Sequence, residues 1–168
     1  MSVLMPPLRN LALLTFTCGE VDTSIPLLRR LLELSEQILR PDYESKLHDG
    51  LNTVESPGLI PVLNTLGYAE LLDGNTDNAR TQYQRVLNIS NVHSGSRSLE
   101  TVQAVEHLAM VEYYAENFDE AGRLFQDAQQ ILLENGRSQS DEDVRRNIEN
   151  AATATCRKGP RAFVASDK

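Results

Sequence analysis

Three histidines and two cysteines are the side chains in this 168-residue chain best suited to hold a metal or move a proton. Their spacing argues against both. His48, His93 and His107 are scattered, and none lies beside a cysteine. A zinc site needs Cys or His at short fixed separations, and a general base needs a reacting group within hydrogen-bond reach. The histidines therefore read as surface or groove residues, with His107 the one whose charge could change binding near neutral pH. Cys18 and Cys156 stand near opposite ends and form no CxxC or Cys/His cluster, so reduced thiols and a cytoplasmic location are expected. The segment 40–58 gathers Asp42, Tyr43, His48, Asp49 and Glu55, the one place where a lid or an active element could sit. It offers no nucleophile, phosphate loop or metal spacing. No enzymatic activity, no cofactor and no metal are expected.

The elements that would position these residues follow from composition. Sixteen Lys plus Arg against twenty-four Asp plus Glu give a net charge of −8, the wrong sign for neutralising phosphates, so nucleic acid is not expected as a partner. Apolar residues make up 40%, enough for a packed core, while the scarcity of aromatics and the absence of Trp do not suggest a strand-rich sandwich. No apolar run approaches the roughly 20 residues a bilayer crossing requires. Leu11 to Cys18 is too short, and too interrupted by threonines, to read as a secretory signal. Asn88-Ile89-Ser90 fits a glycosylation acceptor but falls within a helical pattern and is discounted.

A repeat organises the chain. Leu66 and Leu108, Gly67 and Ala109, Ala79 and Ala121, and Tyr83 and Phe125 are each 42 residues apart. A weaker copy lies 55 residues upstream of the first member, with Leu11-Ala12, Gly19, Ser24 and Leu28 in the corresponding places. The extra 13 residues fall in Arg40 to Gly58, whose Pro41, Asp49-Gly50 and Pro57-Gly58 supply turn chemistry, with room for a short helix around Tyr43 to Leu47. Each unit reads as an antiparallel helix pair. Pro61 opens a helix A that ends near Leu72 at Gly74, and a helix B beginning near Asp77 places Ala79, Tyr83, Val86, Leu87 and Ser90 on one face. Such a pair cannot cover its own apolar faces and must stack. The expected architecture is all-α: units about 6–39, 61–93 and 103–135, a capping helix about 141–157 begun by Ser140, and a flexible basic tail over 159–168.

The pattern Leu-Gly/Ala, Gly, Ala, Tyr/Phe within a helix–turn–helix resembles the tetratricopeptide repeat, and the 42-residue spacing resembles the longer variety of kinesin light chains. Leu8, Leu63 and Val105 stand where that family usually has Trp. The resemblance implies a right-handed α-solenoid whose helix A faces line a concave groove for a peptide or helix of a protein partner. Counted from the matched Leu and Gly positions, the groove residues would be Arg9, Leu13 and Phe16, then Asn64, Tyr68 and Leu71, then Glu106, Met110 and Tyr113. Asn can hydrogen-bond a ligand backbone, and Leu, Met and Tyr offer apolar pockets. Some relatives clamp a terminal carboxylate with Lys, Asn, Asn, Lys and Arg. Arg9, Leu13, Thr65, Gln103 and His107 occupy those places here, so strong binding of acidic EEVD tails is not expected.

The reading is thus a non-catalytic interaction module or adaptor that binds a protein or peptide, with neither nucleic acid nor membrane as partner. Two alternatives are a ligand-sensing or enzymatic domain using the 40–58 loop, and a homo-oligomerising scaffold. The second is suggested by the broad stripe Leu27, Leu28, Leu31, Leu32, Leu34, Ile38 and Leu39 of the first unit. From Leu99 to Glu149, twelve acids face four arginines; a solvated face explains this, or attraction of a basic partner segment.

Overall fold

In the computed structural model the backbone is described for residues 5–44 and 55–165, and side chains for 8–39 and 55–157. All regular structure among the described residues is helical, and the chain divides into two units, one ending at His93 and one beginning at Ser94.

The first unit begins with α1 (Met5–Thr17) and α2 (Val21–Glu44), continues with a 3-10 turn (Pro57–Leu59), and ends with α3 (Ile60–Leu72) and α4 (Thr76–Ser94). Helix α2 packs on α1 and on α3. Its inward stripe is Leu28, Leu31 and Leu32, with Leu27, Leu34 and Leu39 partly buried and Ile38 exposed. It runs to Glu44 rather than stopping near 39. Tyr43 belongs to α2, so no separate helix starts there; the remainder of that expected helix, with His48 and Asp49, lies outside the described residues. Ser24 and Ala79, equivalent across the repeat, are both fully buried, and the Ser24 hydroxyl is satisfied by the Val21 carbonyl at 2.8 Å. Helix α3 is led in by Ser56, whose hydroxyl accepts from the Gly58 amide at 3.3 Å. At its far end Gly74 takes φ +83°, a left-handed conformation that a Cβ would strain.

At the centre of α3, Gly67 meets Tyr83 of α4. A Cβ built on Gly67 would lie 3.0 to 3.2 Å from the tyrosine ring. The ring is buried, its hydroxyl points to the Asn64 carbonyl at 3.5 Å, and burial, helped by nearby Tyr68, pushes its pKa up to about 12. Arg85 of α4 ties the unit together, reaching Glu36 of α2 at 2.5 Å and Glu55 ahead of α3 at 2.8 Å. Burial works against the Arg85 cation, and the hydrogen bonds it donates to Glu55 and Glu36 outweigh it, so its pKa is raised.

In the second unit, α5 (Leu99–Tyr114), α6 (Phe118–Glu134) and α7 (Glu142–Ala165) follow in order, with α6 packed against both others. Ala121, Phe125 and Ala128 of α6 are buried, and Phe125 forms a core with Ala109 of α5 and Ala151 of α7. Arg97 leads into α5 and clasps α6 through Asp127 at 2.6 Å and Glu134 at 2.7 Å. Helix α7 begins after Asp141, whose carbonyl accepts from the Arg145 amide at 3.0 Å and whose carboxylate accepts from the Ser138 amide at 3.2 Å. Asp141 therefore holds the cap position assigned by sequence to Ser140, whose hydroxyl pairs with that of Ser138. The helix also continues to Ala165, past the limit expected at 157 and into the residues expected to form a flexible tail.

The repeat register extends into α7. Val144, Asn147, Ala151 and Ala154 stand 42 residues after Val102, Val105, Ala109 and Glu112, and all eight are buried. The next stripe differs. Buried Thr101, Ala104, Leu108 and Val111 of α5 become Asp143, Arg146, Asn150 and Thr153, none of them buried. Helix α7 thus keeps the first buried stripe of helix A and replaces the second with polar residues.

Candidate interaction site

In the first unit, Arg9 and Leu13 of α1 are exposed, and Phe16 is partly buried. Phe16 meets Tyr68 of α3 edge to face, with ring centroids 5.7 Å apart, so two of the expected groove residues are in direct contact. Tyr68 keeps an exposed face. Asn64 is partly buried, and its side-chain Oδ1 is shielded from solvent without a hydrogen-bond donor.

Leu71 departs from expectation. It is only 8% exposed and belongs to the core, whereas Leu72 is 55% exposed. At about 100° per residue Leu71 lies only about 20° from Asn64, on the side of buried Gly67, whereas Leu72 lies beyond exposed Tyr68, so a stripe counted from Asn64 runs along the edge of the exposed face.

In the second unit, Glu106 is held by α7. Its carboxylate accepts from Asn147 Nδ2 at 2.6 Å and from Arg146 at 3.1 Å. Met110 packs against the Ala109–Phe125–Ala151 core. Tyr113 is half-buried, edge to face with Phe118 at 5.5 Å, and the Arg157 guanidinium lies 5.6 Å from its ring centre. Tyr114, 62% exposed, is the outer ring of the pair.

The clamp positions do not make a carboxylate site. The Thr65 hydroxyl donates to the Pro61 carbonyl at 2.9 Å, within its own helix. Burial holds the His107 pKa below its ordinary value against the opposing pull of Glu106, which favours the neutral imidazole near pH 7. Glu55, from the loop set against an enzymatic role, is occupied with Arg85. Among the described residues no group of three or more His, Cys, Asp or Glu could hold a metal ion, and no helix is long and apolar enough to cross a membrane.

Sequence reasoning missed a pair of buried acids at the end of helix A. Glu70, 1% exposed, accepts from Arg29 of α2 at 2.6 Å and from Asn78 at 3.3 Å. Glu112, 42 residues on, accepts from the Asn117 side chain at 2.8 Å. The main chain repeats too: the amides of Asn75 and Asn117 donate to the Glu70 and Glu112 carbonyls, both at 2.8 Å. The shared offset was the available signal.

The sequence model of the tetratricopeptide repeat matches residues 58–136, which span α3 to α6. These residues are tetratricopeptide repeats. The 42-residue offset between the two matched helix pairs resembles the longer spacing of kinesin-light-chain repeats. Among solved structures, BtubC (BKLC) from P. vanneervenii has the same fold, with a TM-score of 0.74 at 18% identity. That similarity covers 94% of this chain and 57% of the neighbour, so the chain spans little more than half of the neighbour's length. No curated protein matches the sequence. Tetratricopeptide repeats as a family mediate protein–protein interaction.

Proposed function

We propose that this protein is a non-catalytic adaptor, working in the cytoplasm, that holds a peptide or helix of a partner protein against its helix A faces. The observation that carries the reading is the contact of Phe16 with Tyr68, which joins α1 and α3 into one partly apolar surface with Leu13 and Leu72 exposed beside it. A ring pair with an open face, flanked by leucines, suits an apolar anchor residue of the partner. Asn64, with a carbonyl-type oxygen that has no donor, suits a ligand's backbone amide once its side chain turns outward.

The test is selection from a displayed random-peptide library on the intact chain. Selected peptides should lose at least tenfold in affinity when Asn64→Ala and Tyr68→Ala are combined, while the far-ultraviolet spectrum and unfolding midpoint of the variant stay close to wild type. Full affinity in the folded double variant would refute docking on this face.

A further inference from the structure

The corner between α5 and α6 combines aromatic rings with carboxylates. Tyr113 contacts Tyr114 at 6.0 Å and Phe118 at 5.5 Å, ring edges against ring faces. Residues 112–120 carry four acids and no cation. Glu112 is buried on Asn117, and Glu120 is paired with Arg123. The group seated on the Tyr113 ring is the guanidinium of Arg157, an exposed residue 15 positions from the start of α7. A cation over a tyrosine face is favourable, and more so where acids surround it.

We infer that Arg157 occupies a docking point for an arginine of a basic partner segment, and that the partner's guanidinium replaces it on Tyr113. Charge complementarity selects this occupant. The stretch from Leu99 to Glu149 holds twelve acids against four arginines, which attracts a cationic segment and repels an acidic one. Exposed Tyr114 offers a second apolar surface to the stem of the incoming side chain. The inference rests on the proposed use of the helix A faces, since Tyr113 is one of those residues, and it adds the chemistry of the partner.

Fluorescence anisotropy of a labelled peptide of four alternating alanine–arginine pairs, with the alanine–glutamine peptide as control, tests it on the full chain. Arg157→Ala should strengthen binding of the arginine peptide by about threefold, the scale of one exposed cation–π contact. Adding Tyr113→Leu should remove that gain and weaken binding a further threefold or so, and Tyr114→Ala should weaken it without touching the core. Equal binding of the glutamine peptide, or an Arg157→Ala variant that binds no better than wild type, would overturn the inference. So would undiminished binding after Tyr113→Leu and Tyr114→Ala. The Asn64 and Tyr68 variants probe the first unit and these probe the second, so failure of one reading is distinguishable from failure of the other.

Discussion

Two helical glycines should respond to the same substitution with opposite sign. At Gly122 in α6 an added Cβ would find Thr155 Oγ1 at 3.7 Å, the Ala151 carbonyl at 3.8 Å and the Ala154 Cβ at 3.9 Å, all ordinary contact distances. Replacing a mid-helix glycine by alanine gains roughly 1 kcal/mol of helix propensity, and burying the methyl adds up to about 0.8 kcal/mol. Gly122→Ala should therefore stabilise by about 1 to 1.5 kcal/mol, a rise of roughly 3 to 5 °C in the unfolding midpoint for a chain of this size. At Gly67 the same propensity gain is set against a methyl placed 3.0 to 3.2 Å from three atoms of the Tyr83 ring. Overpacking of a core costs about 1 to 3 kcal/mol, so Gly67→Ala should come out between neutral and about 2 kcal/mol destabilised. The second repeat already carries the compatible pair, Ala109 with Phe125. Tyr83→Phe keeps the three ring carbons but frees the ring from the Asn64 carbonyl, so that it can shift off the new methyl; it should cost less in the Gly67→Ala background than alone, a coupling of about 1 kcal/mol in a double-mutant cycle. Urea unfolding followed by circular dichroism measures all four species. Equal stabilisation by both alanines, or strict additivity in the cycle, would refute the packing argument.

Three further outcomes follow from the buried and paired charges. Arg29→Ala leaves the Glu70 carboxylate inside the protein with the Asn78 amide beside it but no cation from Arg29 and should cost about 3 kcal/mol, whereas Glu70→Gln, which leaves a half-exposed Arg29 free to hydrate, should cost about 1 kcal/mol. A larger loss from Glu70→Gln in urea unfolding would reverse that assignment. Because burial depresses the pKa of His107, the unfolded chain takes up its proton first; this contribution to stability is intact above about pH 6.5 and is lost as pH falls through the folded value. His107→Gln should flatten the pH dependence of unfolding between pH 7.5 and 5, while Glu120 and Glu134, held low by Arg123 and Arg97, act in a separate and more acidic window. An EEVD peptide should show no saturable binding by calorimetry at neutral pH, since Thr65 is turned into its own helix and His107 is neutral there; saturable binding lost on Arg9→Ala would contradict this.

The repeat was legible because the residues that set helix spacing are small or aromatic and recur at one offset. Ala79 and Ala121 are both fully buried, and each sits one turn before a ring, Tyr83 or Phe125, that fills the gap at Gly67 or Ala109. Faces were harder to read than registers. Leu71 and Leu72 differ by about 100° around one helix, and a stripe counted from partly buried Asn64 follows the edge of the exposed face, where a small rotation separates core from solvent. Single acids were harder still. Glu70 has the same side chain as the exposed Glu33, and only its position opposite Arg29 makes burial tolerable.

Helix α7 shows how little sequence separates a helix with two buried stripes from one with a single buried stripe. Helix α7 keeps the stripe that packs on α6, with Ala151 and Ala154 close to Gly122. It lets Asn147 fill the Val105 position by giving the amide two acceptors, Glu106 at 2.6 Å and the Asp143 carbonyl at 2.9 Å. What changes is the neighbouring stripe, where Leu108 and Val111 are matched by Asn150 and Thr153. Restoring apolar residues there tests the consequence. With Asn150→Leu and Thr153→Val, α7 would present to solvent the pattern that α5 buries, and a patch of that kind is covered by association. The doubly substituted chain should keep its helical spectrum but shift to larger species in sedimentation velocity as concentration rises. A variant that sediments as wild type at every concentration would mean that the polar stripe does not keep α7 from associating.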